Sequence, residues 1–351
     1  MNDSCAYLNF DTIQNQNALT LDPLTHGLIG AATAQVIAPK KLRWPAAFTG
    51  FVAAIITDFD VLIRDPNNPL LNVELHRQFS HSFLFIPIGG LFAAILVWFF
   101  VRKKLSFQQT YLYAVAGYAT HGLADTITSY GTHLLWPFVD ERYAWNFISV
   151  FDPVFTFGIF VFMVLWFLKG EKKFLGFLFL WMFVYLGSGF VQQQRAASVA
   201  EKLAQQRGQT IERKVIKPTL GNQILWSIRY EADGKLFADA VRLPYFRSAK
   251  VYQGESIQLL NWREKYANFG GTTLFNDIER FAKLSEDYLI KHPTLPGIIG
   301  DGRYAMLPTS VEALWGIEID TLRPELHVPF DHFRDTSPEV REKLMQMLRG
   351  R

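Results

Sequence analysis

Between residues 21 and 191 the chain is a succession of apolar runs, and the ends of several runs carry ionisable residues. Lipid tolerates such residues only when they are paired, liganded or turned inward. A hydrocarbon core of roughly 30 Å asks for about 20 helical residues. The runs 82–101, 109–129, 149–168 and 174–191 come up to that length. Two earlier ones, about 23–38 and 44–57, are shorter, and the Pro39-Lys40-Lys41-Leu42-Arg43 segment between them is too basic for lipid. These two read as a pair of short spans or as a re-entrant hairpin inside the bundle, and either returns the chain to its side of entry. The expected fold is a membrane all-α bundle of about six transmembrane helices over 21–191, followed by a soluble α+β domain over 192–351. Residues 1–20 have neither a basic start nor an apolar stretch and read as a disordered extension rather than a signal peptide.

Basic residues alternate between the loops. Lys40, Lys41, Arg43, Arg102, Lys103, Lys104, Lys169, Lys172 and Lys173 fall on one side, against Arg64, Arg77 and Arg142 on the other. The positive-inside rule puts the richer side in the cytoplasm, so the C-terminal domain is expected to be extracytoplasmic in a multi-pass membrane protein. The formal charge of +3, with no basic block interleaved with aromatics, excludes a nucleic-acid binder as the expectation. The single cysteine, Cys5, excludes an intrachain disulfide and a cysteine-based zinc site.

On that span map the unusual polar residues converge. His26 starts the first helix, Asp58 and Asp60 end the second, and His76 and His81 precede the third. His121 and Asp125 lie in the last turns of the fourth, and His133 follows in the loop. All eight fall near the extracytoplasmic end. His121 and Asp125, at i and i+4, project from one helical face and can offer two ligands to one ion. Singly each has a plainer reading: a helical histidine is more often a structural hydrogen-bonding residue, and Asp58 and Asp60 could cap a helix. Jointly they read as a site for a divalent metal. A His/Asp set without sulfur suits Zn²⁺, Mn²⁺ or Fe²⁺, with Zn²⁺ as the first expectation and room for one to three ions. Asp58 or Asp60 is the candidate base, and Arg77 the candidate group for neutralising an anionic substrate or transition state.

The ordered segments Asp22-Pro-Leu-Thr-His-Gly27, Asp58-Phe-Asp60, His76-Arg-Gln-Phe-Ser-His-Ser82 and the stretch from His121 through Asp125 to His133 resemble the motifs of the YdjM-like family of bacterial inner-membrane proteins. The resemblance covers about residues 21–191 and implies a metal-dependent hydrolase with His26, Asp58, Asp60, His76, His81, His121 and Asp125 as ligand or catalytic positions. A more distant similarity, carried by Thr25-His26 and the His121/Asp125 pair, is to the zinc-dependent phospholipase C and single-strand nuclease class, and implies a phosphoester or related ester.

In the second half, 224–230 and 235–243 flank Asp233-Gly234 and read as a hairpin. Residues 274–290 have helical periodicity, 303–307 and 315–319 read as strands, and Ser337 opens a C-terminal helix to about Leu348. His292, His327 and His332 are scattered and read as structural or surface residues. The leading expectation is a hydrolase acting on a small-molecule or lipid-like substrate at the bilayer surface. The alternatives are a membrane transporter, which should spread its ionisable groups through the bilayer depth, and a non-catalytic protein ordered by its metal.

Overall fold

A computed structural model describes residues 23–351. The extension expected over 1–20 lies outside the described residues. Among the described residues, the membrane-side half contains six α-helices of ten or more residues and one short one. They are α1 (Pro23–Ile37), α2 (Arg43–Ile56), the short α3 (Pro69–Leu75), α4 (Ile86–Val101), α5 (Phe107–Thr126), α6 (Pro153–Lys169) and α7 (Lys173–Gln206). Local chemistry fixes several ends. Ser106 and Gln109 form a reciprocal capping box at the start of α5. At α6, Asp152 accepts the Phe155 N–H, Pro153 takes the first turn, and Gly170 closes the helix with φ 67°.

The six-span expectation does not hold in that form. Among the described residues, three helical segments are long and apolar enough to cross a membrane: Lys40–Leu62, Phe83–Val101 and Lys173–Gln206. Pro153–Lys169 is apolar but shorter. The other two helices depart for a physical reason. α1 has 15 residues and buries Thr25, His26 and Gln35; α5 buries Thr110, His121, Asp125 and Thr126. Both give their surface to neighbouring helices and polar partners, so a length-and-apolarity rule for lipid-facing helices does not describe them. α1, α2 and α5 pack mutually, α4 lies on α5 and α2, and α6 lies on α7 and α1. A Cβ added at Gly30 of α1 or Gly117 of α5 would collide with the Gly50 carbonyl of α2. Backbone contact of this kind is how helices approach closely where small residues meet. Gln35 of α1 accepts the Trp166 indole N–H of α6 at 3.0 Å. The outer surface is apolar, with Phe99, Phe100, Phe157, Leu168 and Phe183 exposed.

The second half is a β-sheet domain. α7 enters it without interruption, and its later turns (Ala196, Ala200, Leu203, Ala204) cover Ile216, Trp226, Ile228 and Tyr230 of the first sheet. That antiparallel sheet runs β1 (Arg213–Pro218), β2 (Leu225–Ala232), β3 (Lys235–Arg242) and β4 (Lys250–Tyr252), with β5 (Ser256–Gln258) also on β3. The β2–β3 turn is Asp233-Gly234 with φ 52° and 67°, the left-handed pair that matches strand twist in a two-residue hairpin. The second sheet is β6 (Leu289–Lys291), β7 (Ile298–Asp301), β8 (Trp315–Glu318) and β9 (Phe330–His332), covered by α8 (Thr273–Leu284). α9 (Pro338–Arg349), capped by Ser337, sets Met347 against Leu225 and Ala240.

Two expectations change here. The helix expected over 274–290 stops at Leu284 because Glu286 and Asp287 take left-handed backbone, φ 49° and 57°, and Leu289–Lys291 joins the second sheet. Residues 303–307 form no strand: the Arg303 guanidinium folds back onto Asp301, turning the chain after β7.

The β domain sits on the end of the bundle from which α3 projects. Arg280 of α8 makes a two-pronged pair with Glu74 of α3 at 2.7 and 2.6 Å. Lys283 pairs with Asp140, and the Tyr304 hydroxyl donates to the Ser129 carbonyl at 2.5 Å. Leu70 of α3 is buried among Phe281, Trp315 and Ile317 of the domain.

Candidate metal centre

The second helix tightens into a 3-10 segment, Thr57–Leu62, which turns Asp58 and Asp60 toward the 3-10 turn Phe79–His81 ahead of α4. α5 is drawn against that turn because residue 122 is glycine: a Cβ there would strike the His81 carbonyl. The close approach brings His81 to His121 and Asp125, which share a face of α5 one turn apart.

Four atoms result, all within 4.8 Å of one another, from Asp58, His81, His121 and Asp125. His81 Nε2 lies 3.4 Å from Asp58 Oδ1 and 3.1 Å from Asp125 Oδ2; His121 Nε2 lies 3.2 Å and 3.5 Å from the same two oxygens. A tetrahedral site with bonds of about 2.0–2.1 Å has edges of about 3.3–3.4 Å. The spacing therefore fits four ligands around one small divalent ion. All four atoms are buried without a hydrogen-bond partner, whereas buried polar atoms in folded proteins nearly always have one. His121 Nδ1–H donates to the Ala54 carbonyl at 2.5 Å, which leaves the Nε2 lone pair facing the cluster. Two nitrogens and two oxygens, with no sulfur, suit Zn²⁺ and the neighbouring first-row ions.

Two groups flank this set. On Asp125 Oδ1 converge His26 Nε2 and an Arg77 guanidinium nitrogen, each at 3.3 Å, and the His26 ring stacks on His121 with centroids 3.7 Å apart. Arg77 is buried and holds left-handed backbone at φ 63°, a conformation uncommon for a residue other than glycine and one that clusters at functional sites. On the other side, Asp60 accepts from three groups. Oδ2 takes the Arg77 N–H at 3.0 Å and the Ser80 hydroxyl at 2.6 Å, and Oδ1 faces His76 Nδ1 at 2.9 Å. Asp58, Asp60 and His76 also lie close enough to form a second ligand group. His76 Nε2 is buried and without a hydrogen bond.

The structure thus brings together His26, Asp58, Asp60, His76, Arg77, His81, His121 and Asp125. It does not bring His133 into either group. His133 Nε2 accepts the Arg142 Nε–H at 3.0 Å and Nδ1 lies 3.3 Å from Asp140; burial and the adjacent Arg142 push its pKa down to about 4. Sequence reasoning missed Ser80, which touches Asp60 and lies 2.9 Å from His81 Nδ1, and Tyr118, whose hydroxyl donates to the Ser80 carbonyl at 2.7 Å. A hydroxyl between two motif histidines was the available signal for Ser80; Tyr118 had none beyond its place one turn before His121.

Space at the junction with the β domain reaches His76 and Arg77, at the edge of the constellation. A cavity of about 720 Å³ borders His76, Asn72 and Arg64 on the bundle side and Phe330, Asp331 and His332 on the domain side. A smaller one, about 70 Å³, lies between His76, Arg77 and Tyr130 and Phe281, Trp315 and Phe330.

The family model described as YdjM inner membrane protein matches residues 21–196, half of the chain and the whole of this constellation. The chain belongs to the YdjM inner membrane protein family. Among curated proteins it is similar to "Inner membrane protein YbcI" of Escherichia coli (strain K12), 31% identical over 134 residues, which is 36% of this chain and 71% of that protein. No solved structure matches. The family and the apolar helices indicate an inner-membrane location.

Proposed function

We propose that this YdjM-family protein is a membrane-bound, metal-dependent hydrolase acting on a phosphoester or related ester. The observation that carries the reading is the set of four buried ligand atoms, unpartnered and at tetrahedral spacing, drawn from three separate segments of the bundle. A divalent cation held by Asp58, His81, His121 and Asp125, Zn²⁺ as the first candidate, supplies Lewis-acid polarisation and water activation. One ion fits the first ligand group; Asp58, Asp60 and His76 give room for a second.

The chain's own residues supply the rest. Asp60 fixes the tautomer of His76 by accepting from Nδ1, so Nε2 is free to take a proton at the cavity wall. That gives Asp60 a positioning role through His76 and leaves Asp58 among the ligands. Arg77, anchored on Asp125, sets a fixed positive charge beside the centre for an anionic ester. The β domain, seated over the cavity, restricts entry to its junction with the bundle. With the basic loops in the cytoplasm, the protein is multi-pass, with the centre and β domain outside, and substrate arrives from lipid or periplasm.

The test is turnover. Metal-loaded protein in neutral detergent should cleave phosphomonoester, phosphodiester or carboxylester probes. Arg77→Met should lose activity on the anionic probes while keeping its metal content. Stoichiometric metal with no turnover on any probe would favour a metal that only orders the bundle.

A further inference from the structure

Away from the metal centre, the inward face of the first sheet carries a polar group that the fold itself does not use. Lys217 of β1 is the register partner of Ser227 of β2, and Arg229 follows two residues on, so all three point to the same side. The alternate residues Trp226, Ile228 and Tyr230 face α7. Lys217, Ser227 and Arg229 are respectively 8%, 5% and 1% exposed, and Lys217 Nζ, Ser227 Oγ and Arg229 Nε have no hydrogen-bond partner. One Arg229 terminal nitrogen donates to the Gly302 carbonyl at 3.1 Å, and Lys217 Nζ sits 3.1 Å from the Tyr304 ring centroid. Buried donors left unpaired cost stability, and two buried basic groups side by side cost more even with Asp301 acting on both.

These atoms line a cavity of about 350 Å³ that also includes Arg303 and Arg334 and no carboxylate. Arg303 is paired with Asp301 and Glu286, so around the cavity the basic groups Lys217, Arg229, Arg303 and Arg334 outnumber these two carboxylates. The remaining wall is apolar, including Val150, Leu220, Met306, Leu314 and Leu344, and Ser149 and Val150 bring it next to the start of α6.

We infer that this cavity binds a phosphate group carried on an apolar body, its oxygens held by Lys217, Ser227 and Arg229. An ammonium, a guanidinium and a hydroxyl line one cavity from the same face of the sheet, a donor set that suits the several oxygens of phosphate better than the two of a carboxylate. The volume is in the range of small-molecule sites rather than of a bare ion, and the apolar wall gives the rest of the molecule a place. Burial and the neighbouring Arg229 push the Lys217 ammonium well below the usual lysine range, a cost that a bound anion offsets. The inference stands apart from the metal reading, since none of the proposed ligands lines this cavity.

The chemistry could come from a lipid headgroup or a soluble organic phosphate, and the experiment separates them. Full-length protein stripped of metal with a chelator, so that phosphate cannot report on the metal centre, is titrated in neutral detergent with inorganic phosphate and glycerol 3-phosphate. Sodium chloride at equal ionic strength is the control. In parallel the protein is placed in bilayers of phosphatidylglycerol or of phosphatidylcholine. The expected result is a saturable rise in thermal midpoint with glycerol 3-phosphate, or in phosphatidylglycerol alone, identifying the soluble or the lipid source. Lys217→Met and Arg229→Met should each weaken binding on the order of tenfold to a hundredfold. Equal binding by wild type and both variants, or no response beyond chloride in any arm, overturns the inference. If the variants do not fold, protection of Lys217 from an amine-modifying reagent in wild type decides. Loss of labelling with the saturating probe supports the site, and undiminished labelling rejects it.

Discussion

Asp60→Asn is a near-isosteric change whose consequences follow from three contacts. The carboxylate is fully buried and accepts from Arg77 N–H, the Ser80 hydroxyl and His76 Nδ1 at 3.0, 2.6 and 2.9 Å. An amide has one oxygen to place. If its oxygen keeps Arg77 and Ser80, its NH₂ must face His76 Nδ1, which can then only accept, so the ring proton moves to Nε2. His76 Nε2 then loses its lone pair and can neither ligate nor take a proton. If the amide is turned over, its NH₂ faces two donors and the 3-10 turn bearing His81 is pushed away. Loss of a charge-assisted acceptor costs about 1.5–3 kcal/mol of stability. Loss of a carboxylate that orients ligand histidines lowers metal affinity by roughly 10–100-fold. The assay is competition for Zn²⁺ against a chromophoric chelator in detergent, alongside the thermal midpoint of the metal-free protein. An affinity within twofold of wild type would refute the claim that Asp60 organises His76 and His81.

Three further outcomes are expected. Gly117→Ala places a methyl on the Gly50 carbonyl and should cost about 1–3 kcal/mol by forcing α2 and α5 apart, read as a lowered midpoint in detergent; an unchanged midpoint would contradict the close packing. Glu74→Gln and Arg280→Met, combined in a double-mutant cycle, should show a coupling of about 0.5–1 kcal/mol, because the pair is two-pronged but about a quarter exposed; zero coupling would mean it contributes nothing to seating the β domain. His133 is held neutral, with a folded pKa of about 4 against an ordinary 6.5, because burial and the adjacent Arg142 charge disfavour a second proton. The unfolded chain therefore takes up the proton first, and stability is full above about pH 6.5 and lost as pH falls through about 4. His133→Gln should flatten that part of the stability profile, and an identical slope in the variant would assign it elsewhere.

Much of the centre was legible because each contributor sat at the end of an apolar run, where a charged group needs a reason. His121 and Asp125 share a helix face by spacing alone, and Asp58 and His81 enter from adjoining segments. What the residue order does not carry is the path of irregular backbone. His133 follows α5 closely, yet the loop directs it to Arg142 and Asp140, a pairing made by tertiary folding. Ser80 looks like any small polar residue until the 3-10 turn aims its hydroxyl at Asp60. The span count failed for the same reason that the centre works: α1 and α5 spend their polar positions on the interior. In the β domain the hairpin was legible because Asp-Gly dictates its own turn. The end of α8 was not, because left-handed Glu286 and Asp287 carry no comparable signature.

The account predicts that the bundle is built around a divalent ion, whereas the same four side chains could instead form a proton-mediated His/Asp network. Elemental analysis of protein purified without chelators separates the two. Wild type should carry at least about one equivalent of a first-row divalent metal, and the His121→Ala/Asp125→Ala variant should carry at least one equivalent less while remaining folded. Metal-free wild type that cannot be reloaded with Zn²⁺, Mn²⁺ or Fe²⁺, and whose thermal midpoint no metal shifts, would contradict the account.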